Sequence, residues 1–223
     1  MDKPDATDGK PGSAMFTSGR RERKKQKQRS ELLDSAFSLF LENGYDNVSM
    51  EQIARHADVA GSTLYNYFPT KRSLLVAIAQ ADMERMVSEG EQRRVHLNAD
   101  PIDALIDQIR RDWSAVDSPR AKDLWRHLLA TAVLTDSRED YTSFMLIRQG
   151  YTAFLEGLIK KWMASGICRP DTDVAALAAA IHAIRYVAFR MYVSLDETSP
   201  DEVLAEIAAQ LRTAMKGSLV SKD

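Results

Sequence analysis

Cysteine, long apolar runs and clustered histidines are all scarce in this 223-residue sequence. The single cysteine, Cys168, excludes a disulfide within the chain and a cysteine-rich zinc site, and its apolar neighbour Ile167 favours an inert thiol over a redox sensor. The longest uninterrupted apolar run, residues 174–181, is far shorter than the roughly 18 residues that a membrane helix needs. The first thirty residues are polar and lack the apolar core of a secretory signal. We therefore expect a cytoplasmic protein with no membrane association.

Motifs of the common enzyme classes are missing as well. The sequence has no Gly-x-Ser-x-Gly elbow, no glycine-rich phosphate loop and no His-Glu-x-x-His pair. Its histidines are scattered, at His56, His96, His127 and His182. We expect no enzymatic activity, no cofactor and no metal site.

A helix-turn-helix pattern occupies residues 49–75. Ser49, with Gln52 three residues later, has the signature of a capping box at the start of a first short helix. Residues 58–60 leave room only for a sharp turn, so a second helix, about residues 60–67, crosses the first steeply. Small and hydroxyl-bearing side chains on its exposed face suit the major groove of DNA. The pattern predicts a DNA-reading motif.

The remaining sequence is predicted to be helical. Three helix starts have a capping residue followed by proline, at Asp100-Pro101, Ser118-Pro119 and Ser199-Pro200. Gly44 and Gly166 are predicted helix stops, and Asp171 or Thr172 is a predicted cap. Further helices are expected at about residues 22–43, from residue 71 onward, 138–165, 172–194 and 200–217. The expected fold is all-α, with about nine helices and no convincing strand.

The motif resembles the DNA-binding domain of the tetracycline-repressor (TetR) family of bacterial transcription regulators. The resemblance covers about residues 27–87 and is carried by Phe40, Asn43-Gly44-Tyr45, Ser49, Ile53-Ala54, Ala57, Val59, Thr63-Leu64-Tyr65-Asn66-Tyr67-Phe68 and Lys71. The chain departs from the family pattern at Asp58, where glycine is common, at Ala60, where a capping serine is usual, and at Gly61-Ser62. These departures prevent transfer of an operator sequence from relatives.

The resemblance implies three segments along the chain. We expect a disordered basic arm over residues 1–25 and a three-helix DNA-binding domain over residues 26–86, with its motif at about 49–68. A helical ligand-binding and dimerisation domain is expected over residues 87–223. The helix that begins after Thr70 would then join the two domains and carry movement from one to the other.

Roles for individual residues follow from the same resemblance. Those expected to contact phosphate or to position the recognition helix are Ser49, Thr63, Tyr65, Tyr67 and Lys71. Those expected to face base edges are Gly61, Ser62 and Asn66. Alternatives are a core position for the Tyr67 ring and a solvated Lys71.

Charge supports a nucleic-acid contact. The chain has a net charge of −2, yet residues 20–29 carry seven positive charges and one negative, which leaves the remainder near −8. An isolated run of this kind is usually a solvated surface, but beside a helix-turn-helix it favours phosphate or minor-groove contact. The DNA contacts expected in this segment are Arg20, Arg21, Arg23 and Lys24.

The second domain is expected to hold an effector and to form a homodimer. The expected cavity lies among helices between residues 100 and 194, lined by Trp113, Trp125, Tyr141, Phe144, Tyr151, His182, Arg185 and Phe189. Each of these has an alternative place in the core or dimer interface. The last two long helices are expected to pair with their copies, the alternative being an intramolecular core.

The sequence thus predicts a repressor that binds a palindromic double-stranded operator as a homodimer and is released by a small molecule of unknown identity. The alternative is the same fold controlled by a partner protein, or a DNA-organising factor without a small-molecule inducer.

Overall fold

The computed structural model describes residues 13–92, 100–134 and 138–220, with side chains from residue 19 onward. Within these ranges the chain forms nine α-helices, a short 3₁₀ turn at Ser114–Val116 and an isolated β-bridge between Cys168 and Leu219. The helices are α1 (Ser13–Asn43), α2 (Met50–His56), α3 (Gly61–Tyr67), α4 (Lys71–Gln92), α5 (Pro101–Trp113), α6 (Pro119–Leu134), α7 (Arg138–Ala164), α8 (Val174–Ser194) and α9 (Pro200–Met215). The all-α prediction is confirmed.

The predicted helix-turn-helix signals are present in the structure. Ser49 Oγ accepts a hydrogen bond from Gln52 N at 3.2 Å, while Gln52 Oε1 accepts one from Ser49 N at 2.6 Å, which completes the capping box of α2. Gly44, with φ +85°, ends α1 in the left-handed conformation that glycine adopts without steric cost.

The expectation of a disordered arm over residues 1–25 is wrong for residues 13–25, because α1 begins at Ser13 and not at about residue 22. Residues 1–12 lie outside the described residues. Arginine, lysine, glutamine and glutamate dominate residues 20–29 and are all good helix formers. Extending an existing helix adds one hydrogen bond for each residue ordered, so α1 continues backward through the basic segment.

The start of α8 also differs from the prediction. The N-cap is Asp173, whose Oδ1 accepts a hydrogen bond from Ala176 N at 3.0 Å. Neither Asp171 nor Thr172 is the N-cap. Asp171 instead forms an ion pair with Arg169 at 2.9 Å. Three polar residues in succession offer three candidate caps, and the Thr172 hydroxyl is also engaged elsewhere, since it donates to the Ser218 carbonyl at 3.5 Å.

Two apolar cores share α4 and are joined by α6. The first, built by α1, α2, α3 and the start of α4, includes Phe40, Ile53 and Leu64. The second is built mainly by α5, α7, α8 and α9 around Trp113 and Trp162. Because α4 contributes buried residues to both cores, a shift of α4 relative to one core must be felt in the other. The domain boundary between residues 86 and 87 stays a prediction.

Helix α8 is the one helix in the described ranges whose length and composition would allow it to cross a membrane. The helix is apolar overall although its longest uninterrupted apolar run, residues 174–181, is short, because few charged residues interrupt Val174–Ser194. Only 28% of its most apolar window is buried within the chain. An apolar helix face is thus left exposed.

Candidate DNA-binding surface and ligand cavity

The recognition helix α3 presents small side chains outward. Leu64 is fully buried beneath it, whereas Ser62 and Asn66 are exposed. Its N-cap Ala60 has extended dihedrals but no side-chain hydrogen bond, as the sequence predicts. A Cβ added at Gly61 would meet no atom within 4 Å, so packing does not require glycine there. This open face is the part of α3 that can approach another molecule.

Two tyrosines fix α3 against its neighbours. The Tyr65 hydroxyl donates to Glu51 Oε1 of α2 at 3.1 Å, and this bond raises the pKa of Tyr65. The pKa of Glu51 is lowered, first by its backbone hydrogen bond and then by Ser49 and Tyr65. The half-buried Tyr67 donates its hydroxyl to Gln28 Oε1 of α1 at 3.1 Å. Both hydroxyls therefore tie α3 to neighbouring helices, and the role of the two tyrosines toward DNA stays a prediction.

Lys71, at the start of α4, is held by aromatic rings rather than fully solvated. Its Nζ lies 4.3 Å from the Tyr45 ring centroid and 5.8 Å from that of Phe40, and it donates to the Asp46 carbonyl at 3.4 Å. Burial lowers the pKa of Lys71, and the nearby Asp46 charge partly opposes this. The ammonium is thus confined beside Tyr45 and Phe40 at the start of α4, and its contact with phosphate stays a prediction.

The carboxyl-terminal end of the basic segment lies beside the recognition helix. Arg29 places its guanidinium 5.5 Å from the Phe68 ring centroid, at the end of α3, and Gln28 bonds to Tyr67. The four predicted contact residues, Arg20, Arg21, Arg23 and Lys24, are exposed on the preceding turns of α1. Positive charge is therefore concentrated on the exposed first half of α1. The last residues of this basic segment contact the end of α3.

The turn between α2 and α3 places a non-glycine residue in the left-handed region. Asp58 has φ +52°, at the position where the resemblance expects glycine. Aspartate tolerates this conformation better than most residues because its short polar side chain hydrogen-bonds locally. The turn is therefore made despite the departure from the family pattern.

A cavity of about 390 Å³ opens among α4, α5, α6, α7 and α8. Six of the eight predicted residues line it: Trp113, Trp125, Phe144, His182, Arg185 and Phe189. The other two predictions are corrected. Tyr141 is 58% exposed on α7 and is not a lining residue, because it falls on the outer face near the start of that helix. Tyr151 is buried behind the lining, where it contacts lining residues.

A buried polar network forms one wall of this cavity. Asp112 of α5 accepts hydrogen bonds from Gln108 Nε2 at 2.7 Å and from the Tyr151 hydroxyl at 3.3 Å. Arg185 Nη2 lies 3.5 Å from Asp112 Oδ2, and its guanidinium lies 4.0 Å from the Tyr151 ring centroid. Burial raises the pKa of Asp112, and the Arg185 charge opposes this. Burial likewise raises the pKa of Tyr151.

Sequence reasoning missed Asp112 and the lining residues Asp82, Met86 and Arg148. A signal for Asp112 was present. It follows Leu105 by seven residues and Ile109 by three, so a carboxylate stands on the apolar face of α5. A charged residue in such a stripe indicates a buried partner, here Arg185.

Comparison with known proteins identifies the amino-terminal part. A family model described as bacterial regulatory proteins of the tetR family matches residues 32–78. The HTH-type transcriptional repressor KstR of Rhodococcus jostii (strain RHA1) is 35% identical over 86 residues, 39% of this chain and 41% of that protein. In this match the chain therefore spans less than half the length of the relative. KstR2 of the same organism is 27% identical over 188 residues, 82% of this chain and 85% of that protein.

Solved structures share the whole fold. Thermus thermophilus FadR, a TetR-family repressor in complex with lauroyl-CoA, superimposes with a TM-score of 0.65 at 20% identity, covering 87% of this chain and 97% of that chain. Bacillus subtilis FadR in complex with stearoyl-CoA superimposes with a TM-score of 0.57 at 22% identity, covering 84% of this chain and 98% of that chain. At these identities the likeness establishes the fold. Residues 32–78 therefore match the amino-terminal domain of the tetR family of bacterial regulatory proteins.

Proposed function

We propose that this protein is a transcriptional repressor that binds a palindromic DNA operator as a homodimer and is released by a small apolar molecule. The observation that carries the proposal is the exposed face of α3, where Gly61 and Ser62 leave room for close approach beside a basic stretch of α1. Small side chains allow a helix backbone to come near base edges, and positive charge beside it supplies phosphate affinity. A protein acting on DNA in this way is cytoplasmic, and no enzymatic activity is needed.

Homodimerisation through α8 and α9 is supported by the exposed apolar face of α8. Tyr186, Val187 and Met191 are 39%, 55% and 45% exposed there, separated by one, four and five positions along the helix. An apolar patch of this kind on a soluble chain typically marks an interface. A two-fold dimer would place two copies of α3 about 34–36 Å apart on one side of DNA.

A small-molecule effector is supported by the cavity and by the relatives. The cavity volume of about 390 Å³ falls within the range of ligand sites, and its lining is mostly aromatic and aliphatic. The two FadR structures hold lauroyl-CoA and stearoyl-CoA. We propose an apolar effector with one polar group, and fatty acyl thioesters are the first class to test.

The DNA contacts can be separated into positioning and reading residues by mutation. Lys71→Ala should weaken binding to every duplex and reduce the salt dependence by about one counterion per subunit. Ser62→Ala should instead alter which base is preferred at one position of each half-site. Fluorescence anisotropy over a range of salt concentrations measures both effects. Lys160→Ala, an exposed lysine on α7, is the matched control. An unchanged salt slope in Lys71→Ala would remove Lys71 from the phosphate contacts.

The alternative, the same fold controlled by a partner protein or acting as a DNA-organising factor, makes a different prediction for ligands. Under our proposal, lauroyl-CoA lowers the affinity for operator, and operator lowers the affinity for lauroyl-CoA by the same factor. Calorimetric titration with and without operator tests this reciprocity. Equal lauroyl-CoA affinities in the two titrations would favour the alternative.

A further inference from the structure

Three buried nitrogens beside the polar network lack a hydrogen-bond partner among the described residues. They are Trp113 Nε1, His182 Nδ1 and Arg185 Nε, and all three residues line the cavity. Trp113 and Arg185 are only 2% and 8% exposed. Buried polar groups in native proteins are almost always paired, and each exception requires an explanation. Three exceptions around one cavity indicate that a bound molecule supplies the missing partner.

The chemistry of these nitrogens defines what that partner must offer. An indole N–H and a guanidinium Nε–H can only donate hydrogen bonds. The bound molecule must therefore bring an acceptor, and an oxygen atom is the usual one. An apolar ligand that carries no oxygen would leave all three nitrogens unpaired, as they are now.

Charge in the cavity decides between a carboxylate and a neutral carbonyl. Among the charged lining residues, Arg185 already pairs with Asp112 at 3.5 Å, Asp82 pairs with Arg85 outside the lining, and Arg148 is exposed. Burial, with help from both arginines, lowers the pKa of His182 to about 4, and the ring is neutral at pH 7. A carboxylate bound at Trp113 and Arg185 would lie beside the buried Asp112 carboxylate, whose charge Arg185 already offsets, at a large desolvation cost. A neutral carbonyl oxygen adds no charge to the cavity.

We propose that this end of the cavity binds the neutral carbonyl oxygen of an apolar ligand, an ester, thioester, ketone or amide, through Trp113 and Arg185 with His182 beside them. This subsite rests on the proposed function, because it names the part of the effector that the protein recognises. The three nitrogens are themselves covered by neighbouring atoms, so the carbonyl reaches them after a small side-chain rotation.

The same contact links the ligand to α4. Arg185 Nη2 now donates to the Met86 thioether on α4 at 3.8 Å, and a thioether is a weak acceptor. A carbonyl oxygen accepts more strongly and would take this donor from Met86. Helix α4 begins at Lys71, beside the DNA-binding surface. Recognition of the carbonyl therefore loosens a bond between the cavity wall and the helix that both cores share.

Three probes of matched length test the subsite: methyl octanoate, which carries a neutral carbonyl, 1-methoxyoctane, which lacks it, and octanoate, which is charged. Calorimetric titration at pH 7.5 should give an affinity for the ester about tenfold higher than for the ether, as expected for one hydrogen bond to a charged donor. Octanoate should bind more weakly than the ester. Equal affinities for ester and ether, tighter binding of octanoate, or no binding of the ester would overturn the proposal.

Variants locate the carbonyl contact. Trp113→Phe keeps a buried ring but removes the N–H, and Arg185→Gln removes the charged donor. In each, the ratio of ester to ether affinity should fall several-fold toward one. Trp125→Phe is the matched control, because Trp125 also lines the cavity but is not among the residues with an unpaired nitrogen. It should change both affinities by the same factor.

The ratio of ester to ether affinity is insensitive to a general loss of packing or stability, so a destabilised variant still gives an interpretable result. An unchanged ratio in both Trp113→Phe and Arg185→Gln would contradict the subsite. Failure of the proposed function gives a different pattern, in which the probes bind but operator affinity stays constant. If the ester and the ether bind equally and both release operator, the subsite is wrong while the proposed function stands.

Discussion

Individual side chains at the DNA-binding surface differ in whether the fold or a partner requires them. Leu64 and Phe68 are buried and belong to the core, and Tyr65 and Tyr67 bond to neighbouring helices. Gly61 has neither role, since a methyl group would fit there without contact. Where packing does not require a particular residue, as at Gly61, the requirement comes from the binding partner.

Gly61→Ala should therefore separate stability from DNA binding. The free energy of unfolding should stay constant or rise by up to about 1 kcal/mol, because alanine favours helix over glycine. DNA affinity should fall, because the methyl group moves the backbone away from the bases. Gly157→Ala on α7, another glycine with open space around it, is the control for helix propensity. Thermal unfolding and anisotropy measure the two effects, and unchanged DNA affinity in Gly61→Ala would argue against close approach at α3.

His182 makes the stability of the protein depend on acidity. Its pKa is lowered from 6.5 to about 4 in the folded chain, first by burial and then by Arg185 and Arg148. The unfolded chain therefore takes up this proton first, and stability is lost as the pH falls from about 6.5 to about 4. In His182→Gln, the difference in Tm between pH 7.5 and pH 5 should be smaller than in the wild type. Identical differences would show that His182 does not titrate in this way.

At the scale of elements, α1 joins the basic segment to the DNA-binding core in one continuous helix. Its exposed charges should matter for DNA and little for folding, because solvated charges contribute little to stability. The test replaces five residues with glutamine, namely Arg20, Arg21, Arg23, Lys24 and Lys25. DNA affinity and its salt dependence should both decrease while Tm is unchanged. Replacing Lys160 and Lys161 on α7 with glutamine controls for the removal of positive charge from another surface. An unaltered salt slope in the five-residue variant would place the segment away from DNA.

Helix starts and stops were predictable where one strong local signal acted alone. The Ser49 capping box, the left-handed Gly44 and the caps at Asp100 and Ser199 depend on side chains next to the backbone groups that they satisfy. The cap of α8 was not predictable, because residues 171–173 are all polar, and Asp171 and Thr172 are engaged elsewhere, by Arg169 and by the Ser218 carbonyl. The length of α1 was missed because the basic residues were interpreted only as charges and not as helix formers.

The residues that line the cavity were predictable only in part. The aromatic and polar residues expected between residues 100 and 194 include six of the lining residues, but the sequence does not give the rotation of each helix. Tyr141 and Phe144 are three residues apart on α7, yet only Phe144 reaches the cavity. The Asp112–Arg185 pair joins residues 73 positions apart, and only the folded chain brings them together.

At the scale of the whole molecule, the exposed face of α8 predicts how dimerisation supports DNA binding. Val187→Glu together with Met191→Glu places two charges on that face and should produce a monomer by sedimentation. Operator affinity should then fall by several orders of magnitude, because each subunit reads only half of the site. Leu146→Glu, which charges an exposed apolar position on α7, is the control and should remain dimeric. A double variant that still sediments as a dimer would move the interface elsewhere.

The central claim is that two copies of α3, held by a two-fold dimer, read one DNA site. Repeated selection of bound duplexes from a random-sequence library tests it most directly, since it requires no knowledge of the operator or effector. The account predicts enrichment of an inverted repeat whose half-sites have centres about one helical turn apart. Selection with Gly61→Ala or Ser62→Ala should alter the enriched half-site. Enrichment of no sequence, or of an asymmetric one bound by a single chain, would contradict the account.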